Sequence, residues 1–299
     1  MRSRVAVILN EKAGDSAGEE RIENVKQAFL DAGLEPTFHL FGSGKKLDSI
    51  VHEALDTGAE IVAAGGGDGT ISGVVNEIVG TEKTLAVLPL GTLNHFSKDL
   101  GIPPDIHDAV KVISENCVRE IDVSEVNGRY FINNSSIGLY PRLVLTRERR
   151  ERLGYGKWWA AAWALTRIVR WSPFQKVKLE LEGNEFLRKV PFVFVGNNVY
   201  EMELYNIGTR SRLDEGKLCV YLLRRSGRIG LGLLVLHTVF GGLKESKYFE
   251  SFNVKEVKIE TRKQSTLVAM DGEVTTMESP LEYRIHPRRL KVLVPAEKG

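Results

Sequence analysis

The chain has 299 residues, of which 27% are charged and 42% hydrophobic, with a formal net charge of +2. This balance excludes wholesale disorder and attachment to nucleic acid by bulk charge. The length suggests two domains at about 150 residues each. Glycine, at 29 residues, exceeds the usual ~7% and points to backbone that must approach a neighbour or ligand closely. Cys117 and Cys219 form no metal or disulfide spacing, as expected in a reducing, cytoplasmic setting. The first apolar run is too short for a signal peptide. The longest one, residues 229–243, is interrupted by His237 and falls short of the ~18 residues a membrane span needs. Any membrane contact is therefore expected to be peripheral.

Residues 4–9 form an apolar run read as a buried strand, and 19–32 an amphipathic helix that Gly33 ends. Strands at 37–41, 60–64 and 84–88 then alternate with helices at 47–56, 71–79 and 106–114. This order predicts a parallel sheet flanked by helices, with ligands at the carboxyl ends of its strands. The texture changes after Asp122. Residues 123–126 and 129–133 flank Asn127-Gly128 as a hairpin with a type I′ turn. Residues 176–181 and 188–195 flank a second turn placed at Gly183-Asn184. Further strands are expected at 217–223, 256–260, 266–270 and 281–285, with helix over 143–171. The expectation is an α/β nucleotide-binding domain over 1–123 and a mostly antiparallel β-sandwich over 124–286. The run 290–294 either ends the second domain or returns residues 287–299 to the first.

The sharpest chemical signal is Gly65-Gly66-Gly67-Asp68-Gly69-Thr70, between a buried strand and a helix. Glycines let backbone N–H groups reach a phosphate, and a helix start favours the anion. Thr70 is expected to cap that helix. Asp68 beside a phosphate makes sense with Mg²⁺ or its waters in between. Pro89-Leu90-Gly91-Thr92-Leu93-Asn94 follows the next strand, where Thr92 and Asn94 are polar candidates for the same site, although this string is also good turn and cap chemistry. Asn10 to Gly14, after the first strand, is a weaker third loop. Asn197 and Asn198 follow an apolar strand and either line a site or form a strand-end turn.

Taken with the distant Asp271-Gly272-Glu273, these motifs resemble the bacterial diacylglycerol kinase and sphingoid-base kinase superfamily of lipid kinases, over nearly the whole chain from Asn10 to Pro295. The resemblance implies a nucleotide-binding α/β domain, a β-sandwich, and a lipid site in the cleft between them, with ATP as phosphoryl donor and Mg²⁺ as cofactor. It implies ATP contacts from Asn10, Gly14, Gly66, Gly67, Asp68, Gly69, Thr70 and Thr92. Asp122 would join a Mg²⁺–water network with Asp68. Glu215, by its side chain, and Arg212 and Lys217, by their carbonyls, would hold a structural Mg²⁺. Asp271 and Glu273 would supply the catalytic carboxylate. Two departures stand out: His95 replaces an Asp of the metal network, and Gly42-Ser43-Gly44-Lys45 replaces a Gly-Asp-Ala.

A lipid hydroxyl is a weak nucleophile, and a carboxylate in hydrogen-bond reach can take its proton. Asp271 is the shorter and more rigidly held of the pair, so it is expected to be the base, with Glu273 supporting it. A bare Asp-Gly is otherwise usually a hairpin turn. Residues 142–170 carry eight basic side chains against two acidic ones, and all four tryptophans lie in or just beyond this stretch. Arg149, Arg150, Trp158, Trp159 and Trp163 read as a docking element for an anionic bilayer carrying the lipid substrate, or as a packed face with solvated arginines. No nucleic-acid partner is expected. Two other functions stay open. One is an NAD kinase, which shares the glycine string but here has Asn76-Glu77 inside a helix. The other is a nucleotide- or lipid-binding regulator without catalysis.

Overall fold

The computed structural model describes residues 4–10, 17–42, 46–142, 144–145, 174–200, 210, 212–223 and 249–296. The chain divides into two compact units, Met1–Val123 with His286–Gly299, and Ser124–Ile285.

The first unit runs β1 (Val5–Asn10), α1 (Ala17–Asp31), β2 (Thr37–Phe41), α2 (Leu47–Asp56), β3 (Ile61–Gly66), α3 (Asp68–Ile78), β4 (Thr84–Pro89), α4 (His95–Asp99) and α5 (Ile106–Glu115). It also takes the first residues of β5 (Val118–Val126). The strand order β2-β1-β3-β4 is parallel throughout. Parallel sheets are covered on both faces, so β1, β3 and β4 read as unbroken buried runs rather than alternating ones. Helices supply the cover through Val25 and Phe29, Ile50 and Val51, Ile71 and Val75, and Val110 and Ile113. Asp105 caps α5 by accepting the N–H groups of His107 and Asp108 at 2.9 and 3.1 Å.

The second unit continues with β6 (Arg129–Phe131), β7 (Asn134–Gly138), β8 (Gln175–Leu181), β9 (Asn184–Val190), β10 (Phe192–Asn197), β11 (Leu218–Leu223), β12 (Phe249–Val254), β13 (Glu256–Thr261), β14 (Ser265–Met270), β15 (Glu273–Glu278) and the start of β16 (Leu281–Leu293). One layer has the order β16-β13-β8-β9, the other β12-β11-β10-β7-β14-β15. The inner faces meet in one core, with Leu179, Ile259 and Tyr283 from the first layer and Ile137, Val195, Val220 and Val268 from the second. Burial raises the Tyr283 hydroxyl far above its ordinary range. It therefore stays a neutral hydrogen-bonding group, 3.1 Å from Ser135 Oγ. The fold class is the expected one, a parallel α/β unit and an antiparallel β-sandwich.

Several elements differ in detail. α3 starts at Asp68, three residues before the expected 71, because β3 feeds it with only Gly67 between. The second hairpin turns at Glu182-Gly183, not Gly183-Asn184: both turn residues have positive φ (48° and 83°), and Leu181 pairs Asn184. The run expected at 188–195 splits into β9 and β10 around Pro191. Strands 281–285 and 290–294 are one strand, β16, bent at Arg288 (φ 51°). Its last residues pair with β4 in parallel, with Lys291 opposite Thr84. The helix expected at 143–171 lies outside the described residues, save for two of its residues.

Candidate active site

At the carboxyl edge of the first unit's sheet, Gly65 pairs with Leu9 and Gly66 with Pro89. Three strands therefore end at nearly the same level, and the loops after β3 and β4 emerge side by side. At Gly91 a Cβ would collide with the Gly67 Cα and come within 2.8 Å of Asn94 Oδ1. At Gly66 it would lie 2.6 Å from Thr70 Oγ1. These two glycines are fixed by packing. Gly67 is different. Its φ of −85° and ψ of 179° suit any residue, and among the described residues a Cβ there would meet nothing closer than the Gly91 Cα at 3.7 Å. Neither conformation nor packing among the described residues requires glycine at this position, so the open space in front of it is the feature to explain.

Gly67 is the N-cap of α3, and no side chain caps that helix. Thr70 is already the third helical residue, which corrects its expected capping role. The first-turn N–H groups are thus left to another acceptor, at the end of the helix where an anion is favoured. Asp68 turns its carboxylate to the second loop, where Oδ1 accepts the N–H of Phe96 at 3.1 Å and Oδ2 that of His95 at 3.3 Å. It thereby caps α4, and the His95 side chain is exposed. Asn94, expected to contact nucleotide, folds its own loop in a left-handed conformation (φ 50°). Its Oδ1 accepts the Gly91 N–H at 3.0 Å, and its Nδ2 donates to the carbonyls of Gly91 and Pro89 at 2.8 and 3.2 Å. Both amide N–H bonds are used within the loop. Thr92 is exposed beside it and Asn10 ends β1 at the same edge. Gly14 lies outside the described residues, as do Arg149, Arg150, Trp158, Trp159 and Trp163.

Asp122 stands apart from this edge in kind. It is 0% exposed, and its Oδ1 accepts the Arg288 N–H at 2.9 Å, at the bend of β16. Arg288 is a non-glycine residue with φ near +50°, a strained conformation that an anchored amide helps to hold. Asp122 thus has a structural bond at the bend of β16.

In the second unit Asp271-Gly272 is a two-residue hairpin turn between β14 and β15, with φ values of 48° and 90°. The Asp271 side chain is nevertheless only 6% exposed. Oδ1 accepts the N–H groups of Asn133 and Asn134 at 2.8 and 3.1 Å, and Oδ2 that of Ile132 at 2.9 Å. Three successive amides converging on one carboxylate make an anion-holding concavity in the backbone. Glu273, two residues on, is exposed and makes no side-chain hydrogen bond among the described residues.

Asn197 and Asn198 are both buried. Asn197 Nδ2 donates to the Ile132 carbonyl at 2.9 Å and its Oδ1 accepts Ser124 Oγ at 2.8 Å. Asn198 organises the neighbouring loop: its Oδ1 accepts the Glu215 N–H at 3.1 Å and its own N–H donates to the Lys217 carbonyl at 3.0 Å. The Arg212 side chain goes to Asp214 at 3.1 Å. The Glu215 carboxylate and the Lys217 carbonyl are oxygen donors of the class Mg²⁺ takes, and Asp68 is a single carboxylate beside the open glycine loop, as a nucleotide-borne Mg²⁺ requires. These residues fit the ion. Among the described residues no three acidic, His or Cys side chains gather in a metal-binding cluster, and no helix is long and apolar enough to cross a membrane.

A nucleotide-type glycine loop on an α/β unit, followed by a sandwich bearing an Asp-Gly-Glu turn whose aspartate is buried, defines a kinase-like class of two-unit proteins. Residues 4–126 match the diacylglycerol kinase catalytic domain, and residues 145–294 match the YegS C-terminal NAD kinase beta sandwich-like domain. The chain belongs to the family of diacylglycerol kinase-like lipid kinases. It is 26% identical to a Bacillus subtilis protein named diacylglycerol kinase, over 99% of this chain and 98% of that one. It is 28% identical to a Pseudomonas aeruginosa protein named "Probable lipid kinase YegS-like", over 99% and 95%. A crystal structure of a diacylglycerol kinase from Bacillus anthracis shares the fold with a TM-score of 0.72 at 20% identity, covering 98% of this chain and 97% of that one. The NAD kinase likeness is confined to the C-terminal region, and Asn76 and Glu77 lie within α3, where Asn76 donates to the Ser72 carbonyl.

Replacing Asp122 by Ala tests its structural role. It removes the acceptor of the part-buried Arg288 amide and is expected to cost about 1 kcal/mol of stability. Chemical denaturation should give the same loss with and without Mg²⁺; a loss seen only with Mg²⁺ present supports the metal role.

Proposed function

We propose that the protein transfers the γ-phosphoryl group of ATP to the hydroxyl of diacylglycerol or a related lipid. The observation that carries this reading is Gly67, whose missing side chain, among the described residues, serves neither backbone nor packing and leaves space before a start of α3 that no described side chain caps. The phosphates of ATP suit that space, with the first-turn N–H groups as donors and the exposed Thr92 and half-buried Asn10 beside them.

In the transfer the lipid oxygen bonds to the γ-phosphorus. The bond from phosphorus to the β–γ bridging oxygen breaks, its electron pair leaves with ADP, and the hydroxyl proton passes to a carboxylate. Mg²⁺, held at Asp68 together with phosphate oxygens, would neutralise charge on the transferring group. We assign proton acceptance to Asp271. Its three amide bonds fix the carboxylate in one orientation, as alignment at the transition state demands, and a carboxylate has about four lone-pair sites. A second reading is favoured by the exposure of Glu273: there Glu273 takes the proton and Asp271 only holds the turn. Residues 142–171, with their excess positive charge and tryptophans, would bring the enzyme to an anionic bilayer.

The direct test incubates the purified chain with γ-labelled ATP, Mg²⁺ and a total bacterial lipid extract, followed by thin-layer separation. A labelled phospholipid is expected. Phosphorylation of NAD with no labelled lipid, or no transfer by a protein that binds ATP, contradicts the proposal. Gly67→Val should keep the melting temperature and lose ATP binding by calorimetry; unchanged affinity removes the loop from the nucleotide site. Asp271→Asn sets an NH₂ group against backbone donors, so it should lose about 1–3 kcal/mol of stability as well as ~10²-fold in kcat. Assayed below its melting point, it should be more damaged than Glu273→Gln. The reverse order favours the second reading.

A further inference from the structure

Arg210 is 5% exposed, yet carries a charge. Its Nη1 donates to the Ile132 carbonyl at 2.6 Å and to the Asn197 carbonyl at 3.0 Å, and its Nη2 donates to Asn133 Oδ1 at 2.9 Å. The guanidinium carbon lies 5.4 Å from the Tyr200 ring centroid, within cation–π range. The Tyr200 hydroxyl in turn donates to the Asn133 carbonyl at 2.8 Å.

These bonds fall on one short segment. Ile132 to Asn134 joins β6 to β7, and its N–H groups are the three that hold Asp271. Arg210 and Tyr200 grip the same segment through its carbonyls and the Asn133 side chain. The segment is thus held between a buried cation on its acceptor side and a buried anion on its donor side. Burying a guanidinium costs several kcal/mol unless its donors are satisfied, and a well-packed apolar side chain in such a place is often as stable or more so. Arginine's planar fork, however, fixes two acceptors in a set geometry that lysine's single ammonium cannot reproduce.

We propose that Arg210 is a positioning residue for the transfer step: it locks Ile132–Asn134 so that their amides aim the Asp271 carboxylate. This rests on the reading of Asp271 as proton acceptor. Arg210 acts through the main chain, so its effect should appear in kcat, should leave ATP binding alone, and should vanish once Asp271 can no longer accept a proton.

The test is a double-mutant cycle with full-length Arg210→Lys, Asp271→Asn and the double variant, with Arg210→Gln as a second probe of position 210. Arg210→Lys should lower kcat on the lipid by roughly 10–10²-fold with KM for ATP within about twofold of the parent. Amide hydrogen exchange at Ile132, Asn133 and Asn134 should quicken while the sheet amides of the first unit stay protected. In the Asp271→Asn background, Arg210→Lys should change kcat by less than about twofold. Parental kcat in a folded Arg210→Lys protein, or a full additional loss in the double variant, overturns the proposal and leaves the Asp271 assignment standing. Failure of both Arg210→Lys and Arg210→Gln to fold overturns it in favour of a purely structural arginine. Parental turnover in Asp271→Asn removes the Asp271 assignment itself, and the proposal with it.

Discussion

The first unit depends on one close approach. With Gly66 paired to Pro89, the loops after β3 and β4 must pass each other at backbone distance, and a Cβ on Gly91 would collide with Gly67. Glycine at 91 is what allows this. From it follow the direct passage of β3 into α3, the reach of the Asp68 carboxylate to the start of α4, and the fold of the second loop around the Asn94 amide. The polar side chains nearest the loop are spent on building it. What remains for a ligand among the described residues is chiefly main chain, the first-turn N–H groups of α3 and the space before Gly67, with the exposed Thr92 side chain beside them.

The second unit solves a related problem with buried polar groups. Asp271, Arg210, Asn197 and Asn198 are all nearly or fully enclosed, and unpaired each would be costly. Most of their bonds go to main-chain atoms of Ile132–Asn134, Asn197 and the Glu215–Lys217 loop. Burial also raises the Tyr221 hydroxyl far above its ordinary range, so it stays protonated and donates to the Tyr200 carbonyl at 3.1 Å. Apart from Asn198 Nδ2, which is buried with no hydrogen-bond partner among the described residues, these groups form a satisfied network, and such a network specifies one arrangement more sharply than apolar packing does.

Where the pattern is local, the sequence shows it. The apolar runs of β1, β3 and β4 have the continuity a doubly covered parallel sheet requires, and Asn127-Gly128 supplies the two positive φ values of its turn. Glu182 hides the second turn, because glutamate rarely takes φ near +48°. Strands β12 and β15 escape notice because they carry polar residues at sandwich edges, where no alternating apolar face marks them. The five-residue helix α4 has no periodicity of its own; its start is fixed by Asp68, 27 residues earlier. The site follows the same rule. The glycine string and the Asp-Gly-Glu motif are visible as strings, whereas the structural duties of Asn94 and Asp122 and the place of Arg210 rest on bonds to main-chain atoms, which carry no residue signature.

The central claim is that the open space before Gly67 receives the phosphates of ATP. Titrating ATP into the ¹⁵N-labelled chain and following its amide resonances tests this most directly. The amides of Gly67, Asp68, Gly69 and Thr70 should move first and furthest, saturating with one nucleotide per chain, with Thr92 shifting alongside them. Saturable ATP binding that leaves these amides in place and moves others would contradict it.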